Sequence, residues 1–192
     1  MEALSHLRGL IAALDEALVD ALCARARLRL NEPLYALPDD PAPALQALAD
    51  AFAESATPAG RVRVLRLPYL RLLLPALCEA GRDEGGAACL SADAACLDAL
   101  ARRLALSVHV ATRKREAIPD ALLAALRTGI PTRVEAAITN PAVEEEVLAR
   151  VRTRAAAQAP RPDLPGRVAT LYAEWIIPLS RKIQVHGLLA AS

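Results

Sequence analysis

Leu4, Leu7, Ile11, Leu14, Leu18, Leu22 and Leu28 recur at steps of three, four and six residues. That spacing lays a single apolar stripe along a helix and is incompatible with the two-residue period of a strand. It predicts a helix of about seven turns from roughly residue 2 to 30. The rest of the chain follows the same rule: hydrophobic residues make up 54% and aromatics only 3%, with Ala and Leu dominant. Such a mixture packs helices through small and straight-chain residues and lacks the β-branched and aromatic content of sheets. The expected fold is therefore all-α, a single-domain helical bundle spanning residues 1–192, with three long helices and several short ones.

The punctuation divides the chain further. Asn31-Glu32-Pro33 ends the first helix and Pro38-Asp39-Asp40-Pro41 forms a turn. A short helix is expected over 42–55. Short helical pieces follow over 61–80, interrupted by Pro68 and Pro75. After a polar loop from Gly81 to Gly86, Ser91 or Asp93 is placed to cap a long helix that runs to about Glu116. Pro119 opens a short helix that Gly129-Ile130-Pro131 ends, and Asn140-Pro141 starts another that reaches about Gln158. The last helix runs from about Arg167 to Leu189 with a kink at Pro178.

Charge and composition narrow the function. The formal net charge is +1, so there is no global nucleic-acid footprint and any anion site must be local. No apolar run of eighteen residues is present to span a membrane, and the first residues do not read as a secretory leader. A cytoplasmic location is the expectation. Cys23, Cys78, Cys89 and Cys96 form no Cys-x-x-Cys pair and are expected to be buried free thiols. His6, His109 and His186 are isolated, and no nucleophile, P-loop, dinucleotide or metal motif occurs. Chemistry here has to run on Arg, Lys, Glu and amides, without cofactor or metal.

Three spacings matter in that light. Arg103 and Lys114 are eleven residues apart and share a helix face, separated by about 16 Å along the axis. Asn140 and Glu144, four apart, share a face at a helix start, as do Ser180 and Gln184 on the last helix. Each pair alone also fits a solvated face or a helix cap.

Taken together and in order, these segments resemble the chorismate mutase family, fungal and plant type. Leu7-Arg8-Gly9-Leu10-Ile11 through Ala24-Arg25-Ala26-Arg27-Leu28 to Tyr35 resembles its first helix. Cys96-Leu97-Asp98-Ala99-Leu100-Ala101-Arg102-Arg103-Leu104, continuing to Lys114, is similar to its Cys-Leu-Gln-x-Leu-Ser-Arg-Arg-Ile helix. Thr139-Asn140-Pro141-Ala142-Val143-Glu144 through Val151 is similar to its Thr-Asn-x-x-Val-Glu-x-x-Val-Leu-x-Arg-Val. Ile177-Pro178-Leu179-Ser180-Arg181-Lys182-Ile183-Gln184-Val185, preceded by Tyr172, resembles its Ile-Pro-Thr/Ser-Lys-x-Val-Glu-Val ending.

The resemblance implies an isomerase that rearranges chorismate to prephenate, usually as a homodimer, with a site made of Arg8, Arg103, Lys114, Asn140, Glu144, Ser180 and Gln184. The chemistry of these residues suits that ligand. Two guanidiniums can fork onto its two carboxylates, and Ser180 can add a hydrogen bond. Glu144 can accept from the ring hydroxyl. Lys114 and Gln184 can donate to the ether oxygen as its C–O bond breaks. Three cations against one carboxylate leave a local +2 for a dianion.

Three departures carry expectations. Gln184 stands where the family usually has Glu, and an amide donates at any pH. Gly85-Gly86-Ala87-Ala88 replaces the Asn-Tyr-Gly-Ser of regulated members, and residues 36–90 form a shortened equivalent of the regulatory region, so feedback by aromatic amino acids is not expected. Ala24 replaces a Glu before Arg25. Other readings of the scaffold are an isochorismate pyruvate-lyase, an aminodeoxychorismate mutase, or a non-catalytic dimerisation or regulatory module. The intact charged positions favour an enzyme.

Overall fold

The computed structural model describes residues 2–35, 41–82, 85–116 and 119–190; the side chains of residues 2–5 and 112–118 fall outside that description. Among the described residues every regular element is helical. The long helices are α1 (Glu2–Arg25), α5 (Gly86–Glu116) and α8 (Pro141–Gln158). The shorter ones are α2 (Leu45–Glu54), α3 (Pro58–Pro68), α4 (Leu74–Leu77), α6 (Asp120–Arg127), α7 (Pro131–Ile138), α9 (Leu164–Leu171) and α10 (Ile177–Ala190).

Side-chain pairs fix the directions. Arg25 pairs with Asp93 and Asp15 with Arg103, so α1 and α5 are antiparallel. Asp15 and Asp20 pair with Arg150 and Arg154, so α8 runs with α1. Ser107 meets Ser180, and Ala111 meets Gly187, so α10 runs with α5. Gly187 permits the second approach: a Cβ there would lie 3.3 Å from that of Ala111. The core gathers Leu18, Leu22, Phe52, Leu73, Leu100, Leu104, Tyr172 and Ile183. A smaller cluster of Leu122, Ala125, Val134, Val185 and Leu188 seats α6 and α7.

Two of the proline sites behave alike. A π turn over Tyr69–Leu73 joins α3 to α4, and another over Tyr172–Ile176 joins α9 to α10. In each, the closing N–H reaches back five residues, Leu74 to the Tyr69 carbonyl and Ile177 to the Tyr172 carbonyl. Pro75 and Pro178 follow immediately. The widened turn displaces the carbonyl that a proline ring would strike in an α-helix. Helix therefore continues through Pro68 and Pro75, where interruptions were expected, and through Pro178, which was expected inside the last helix.

Other boundaries also differ from the sequence expectation. The first helix stops at Arg25, because that guanidinium turns onto the carbonyls of Leu28, Arg29 and Leu30 at 3.2, 3.0 and 3.2 Å. Asp93 is no cap. It lies inside α5, which begins at Gly86, and is 5% exposed. Pro131 opens α7 rather than only closing α6, as proline in a first turn allows. The turn expected at Pro38–Pro41 lies mostly outside the described residues. The four cysteines are free and buried, as expected. Burial pushes the Cys78 and Cys96 thiols up to about 11 and about 12.

A buried polar network ties α1 and α5 to the π turn that follows α3. Arg25, fully buried, donates from Nε to Asp93 Oδ1 at 2.6 Å and from Nη2 to Tyr35 Oη at 3.1 Å. Tyr35 donates in turn to the other Asp93 oxygen, and Tyr69 donates to Oδ1 at 2.8 Å. Burial opposes the Arg25 charge, yet the hydrogen bond to Asp93 and the groups around it outweigh burial and hold its pKa above the ordinary value. The Ala in place of a Glu at residue 24 leaves this packing intact.

Candidate active site

The centre of the bundle holds Arg103, Ser180 and Gln184, three of the six candidate residues whose side chains are described. Arg103 lies on the apolar side of α5, one turn after Leu100, and is 6% exposed. A guanidinium this deep needs a partner. Its partner is Asp15 on α1, 2% exposed, which accepts from Arg103 Nε at 2.6 Å. The remaining guanidinium nitrogens of Arg103 make no hydrogen bond among the described residues. Only one edge of the fork is used, and the other can take a carboxylate. The second Asp15 oxygen accepts from Arg150 of α8 at 3.4 Å. The Tyr172 hydroxyl donates to the Asp15 carbonyl at 3.3 Å. Burial and then the Asp15 charge raise the pKa of Tyr172, which therefore acts as a neutral donor.

One turn further along α5, the Ser107 hydroxyl shares a 2.8 Å hydrogen bond with Ser180 of α10. Gln184, 9% exposed, donates to the Ser180 carbonyl at 3.3 Å and approaches its hydroxyl at 3.5 Å. The wall beyond belongs to α8. Asn140 caps that helix, its side chain accepting from the Val143 N–H at 3.3 Å, with Pro141 opening the first turn. Glu144 sits in the same first turn and pairs with Arg181 of α10 at 3.2 Å.

The described contacts link Ser180 and Gln184 to Ser107, one turn from Arg103 on α5, and link Glu144 to α10 through Arg181. Asn140 is exposed and engaged as a cap. Arg8 is exposed and has no hydrogen bond or ion pair among the described residues. It lies seven residues before Asp15, on nearly the same face of α1 and about 10 Å along the axis. Lys114 is on α5, but its side chain is outside the described residues. A hollow of about 610 Å³ lies elsewhere, between Leu72, Leu73 and Ala76 on one side and Gly166, Leu171 and Trp175 on the other; it contains none of the candidate residues.

Asp15, Arg150 and Arg181 were not among the sequence candidates. Asp15 was the most legible of them, being a carboxylate between Ile11 and Leu18 on the apolar stripe. Arg150 and Arg181 carried no such mark, because each looks like an ordinary solvated helix charge.

The described residues of the helical bundle thus supply a buried guanidinium with a free edge and, one turn along α5, a hydroxyl and an amide, groups of the kind that can bind a small anion. Residues 90–185 match the sequence model of the family described as chorismate mutase type II, and the chain belongs to that family. Six of the seven candidate residues lie inside the matched span; Arg8 lies outside it.

The chain is 28% identical over 142 residues to the chorismate mutase of Emericella nidulans, a match covering 65% of this chain and 53% of that protein. It is 30% identical over 135 residues to the chloroplastic chorismate mutase 1 of Petunia hybrida, covering 63% and 42%. It spans about half the length of these curated relatives. The crystal structure of a Candida albicans chorismate mutase in complex with L-Trp has a TM-score of 0.75 at 20% identity, covering 97% of this chain and 90% of that one. The chloroplast enzyme of Zea mays gives 0.78 at 21%, covering 98% and 95%. These likenesses establish the all-helical fold.

Proposed function

We propose that this protein is a chorismate mutase, acting on chorismate within one chain and without cofactor. The observation that carries the reading is the half-used Arg103 guanidinium, held by Asp15 beside Ser180 and Gln184, inside a span that matches the family. The reaction is a pericyclic rearrangement within one molecule, so it needs no nucleophile and no proton transfer. The protein has to fold the extended dianion into a reactive conformer and stabilise the charge that develops on the ether oxygen. Arg103 and Arg8 grip the carboxylates, with Ser180 adding a hydrogen bond. Glu144 accepts the ring hydroxyl near the N–H groups at the start of α8. Lys114 and Gln184 donate to the ether oxygen.

The same reading makes the protein a cytoplasmic homodimer that lacks control by aromatic amino acids. Leu34 supports that last point. It packs against Gly86 so closely that a Cβ there would lie 3.1 Å from it, at the place where regulated members carry the Asn-Tyr-Gly-Ser run.

Loss of chorismate absorbance, with identification of prephenate, tests the activity. Arg103→Ala and Lys114→Ala should each abolish turnover while helicity is retained. Full activity in both variants would refute the site assignment. Pyruvate release would instead identify a lyase on the same scaffold.

A further inference from the structure

Arg181 is engaged on two sides. Its Nη1 lies 3.2 Å from Glu144 Oε1 on α8, and its Nε lies 3.6 Å from Glu135 Oε1 on α7. Lys182 meets the other Glu135 oxygen at 3.6 Å. Glu135, Glu144 and Arg181 have side chains between 25 and 29% exposed, so these pairs are shielded more than typical surface pairs. The two carboxylates flank the corner at Thr139 and Asn140, between the end of α7 and the start of α8. A single guanidinium on α10 therefore clips that corner to the helix that carries Ser180 and Gln184.

We propose that Arg181 is a positioning residue for the reaction, fixing the carboxylate of Glu144 at the angle needed to accept the substrate's ring hydroxyl. The inference rests on the proposed activity and deepens it. A glutamate side chain has three rotatable bonds, and one charge-assisted hydrogen bond from a planar guanidinium removes much of that freedom. Glu135 attracts the guanidinium from the Nε side at 3.6 Å, as an ion pair without a hydrogen bond. Because the ring hydroxyl is present in both ground and transition states, the effect belongs to binding rather than to the bond-breaking step.

The test is a double-mutant cycle of Arg181→Met and Glu144→Ala with chorismate as substrate, each variant first compared with wild type by circular dichroism. Arg181→Met should raise KM about tenfold, the loss of one charge-assisted hydrogen bond, while kcat falls less than about threefold. Arg181→Lys should recover most of the affinity. If Arg181→Met does not fold, Arg181→Gln, which also removes the charge, replaces it in the same cycle with the same expected outcome. The variant with both changes should bind no worse than Glu144→Ala alone. Additive losses, or a fall in kcat with KM unchanged, would overturn the positioning role. Wild-type protein that leaves chorismate untouched would refute the activity and the inference with it, whereas active wild type with additive losses refutes only the role of Arg181.

Discussion

Replacing Asp15 with alanine would strand a buried cation. Arg103 is 6% exposed, and in the folded chain Asp15 accepts its Nε at 2.6 Å. Removing one partner of such a pair costs about 3–5 kcal/mol, because the other charge remains without compensation. Arg150 loses a partner too, but at 3.4 Å and with its side chain 41% exposed it adds little. At roughly 2–4 °C per kcal/mol for a chain of this size, Asp15→Ala should lower Tm by about 6–20 °C. Asp15→Ala combined with Arg103→Met removes both charges and keeps most of the volume, so it should recover most of that loss, since an apolar pair is often as stable as an ion pair. Thermal and urea melts followed by circular dichroism measure both variants, and a chorismate assay on the double variant should find no turnover. A double variant as unstable as Asp15→Ala would refute the reasoning, since the loss would then come from a cavity rather than from stranded charge. A Tm drop below about 2 °C in the single variant would refute it as well.

Wild-type turnover should stay level between pH 5 and pH 8, because the Gln184 amide donates without titrating; Gln184→Glu should lose turnover as pH rises through that range. A pH–rate profile of both proteins decides this, and a steep fall in the wild type would remove Gln184 from its role. Stability should hold below about pH 9 and decline above it: raised folded-state values mean that Cys78, at about 11, and Tyr35, at about 12, contribute stability fully below their unfolded values of 9.0 and 10.0 and lose it as pH climbs through the folded ones. Melting temperatures that stay flat from pH 8 to 11 would contradict that. Asn140→Ala removes the α8 cap and should cost about 1 kcal/mol, seen as a Tm drop of roughly 2–4 °C, while Asn140→Asp should hold the wild-type value.

The stripe from Leu7 to Leu22, the Asn140-Pro141 start and the glycine between α6 and α7 were readable locally, since each acts within one turn of its own helix. Residues whose role depends on a distant partner were not. Asp93 looked like a cap until Arg25, Tyr35 and Tyr69 closed around it from other elements. Pro75 looked like an interruption and Pro178 like a kink because the wider turns that accommodate them leave no mark in the local sequence. The candidate site was legible only through family resemblance, which supplied the residues proposed to grip the substrate. Their partners, Asp15 under Arg103 and Arg181 beside Glu144, came into view only with coordinates.

The wide turn at Tyr172–Ile176 also sets the phase of everything after it. The turn takes up one extra residue locally, and each residue advances a regular helix by about 100°, so a residue added or lost between Ile177 and Ser180, with no bulge to absorb it, would swing Ser180 and Gln184 by more than a quarter of a circle. Insertions and deletions should therefore be far less tolerable here than in the loop before α9, although neither segment touches the substrate in the proposed reaction.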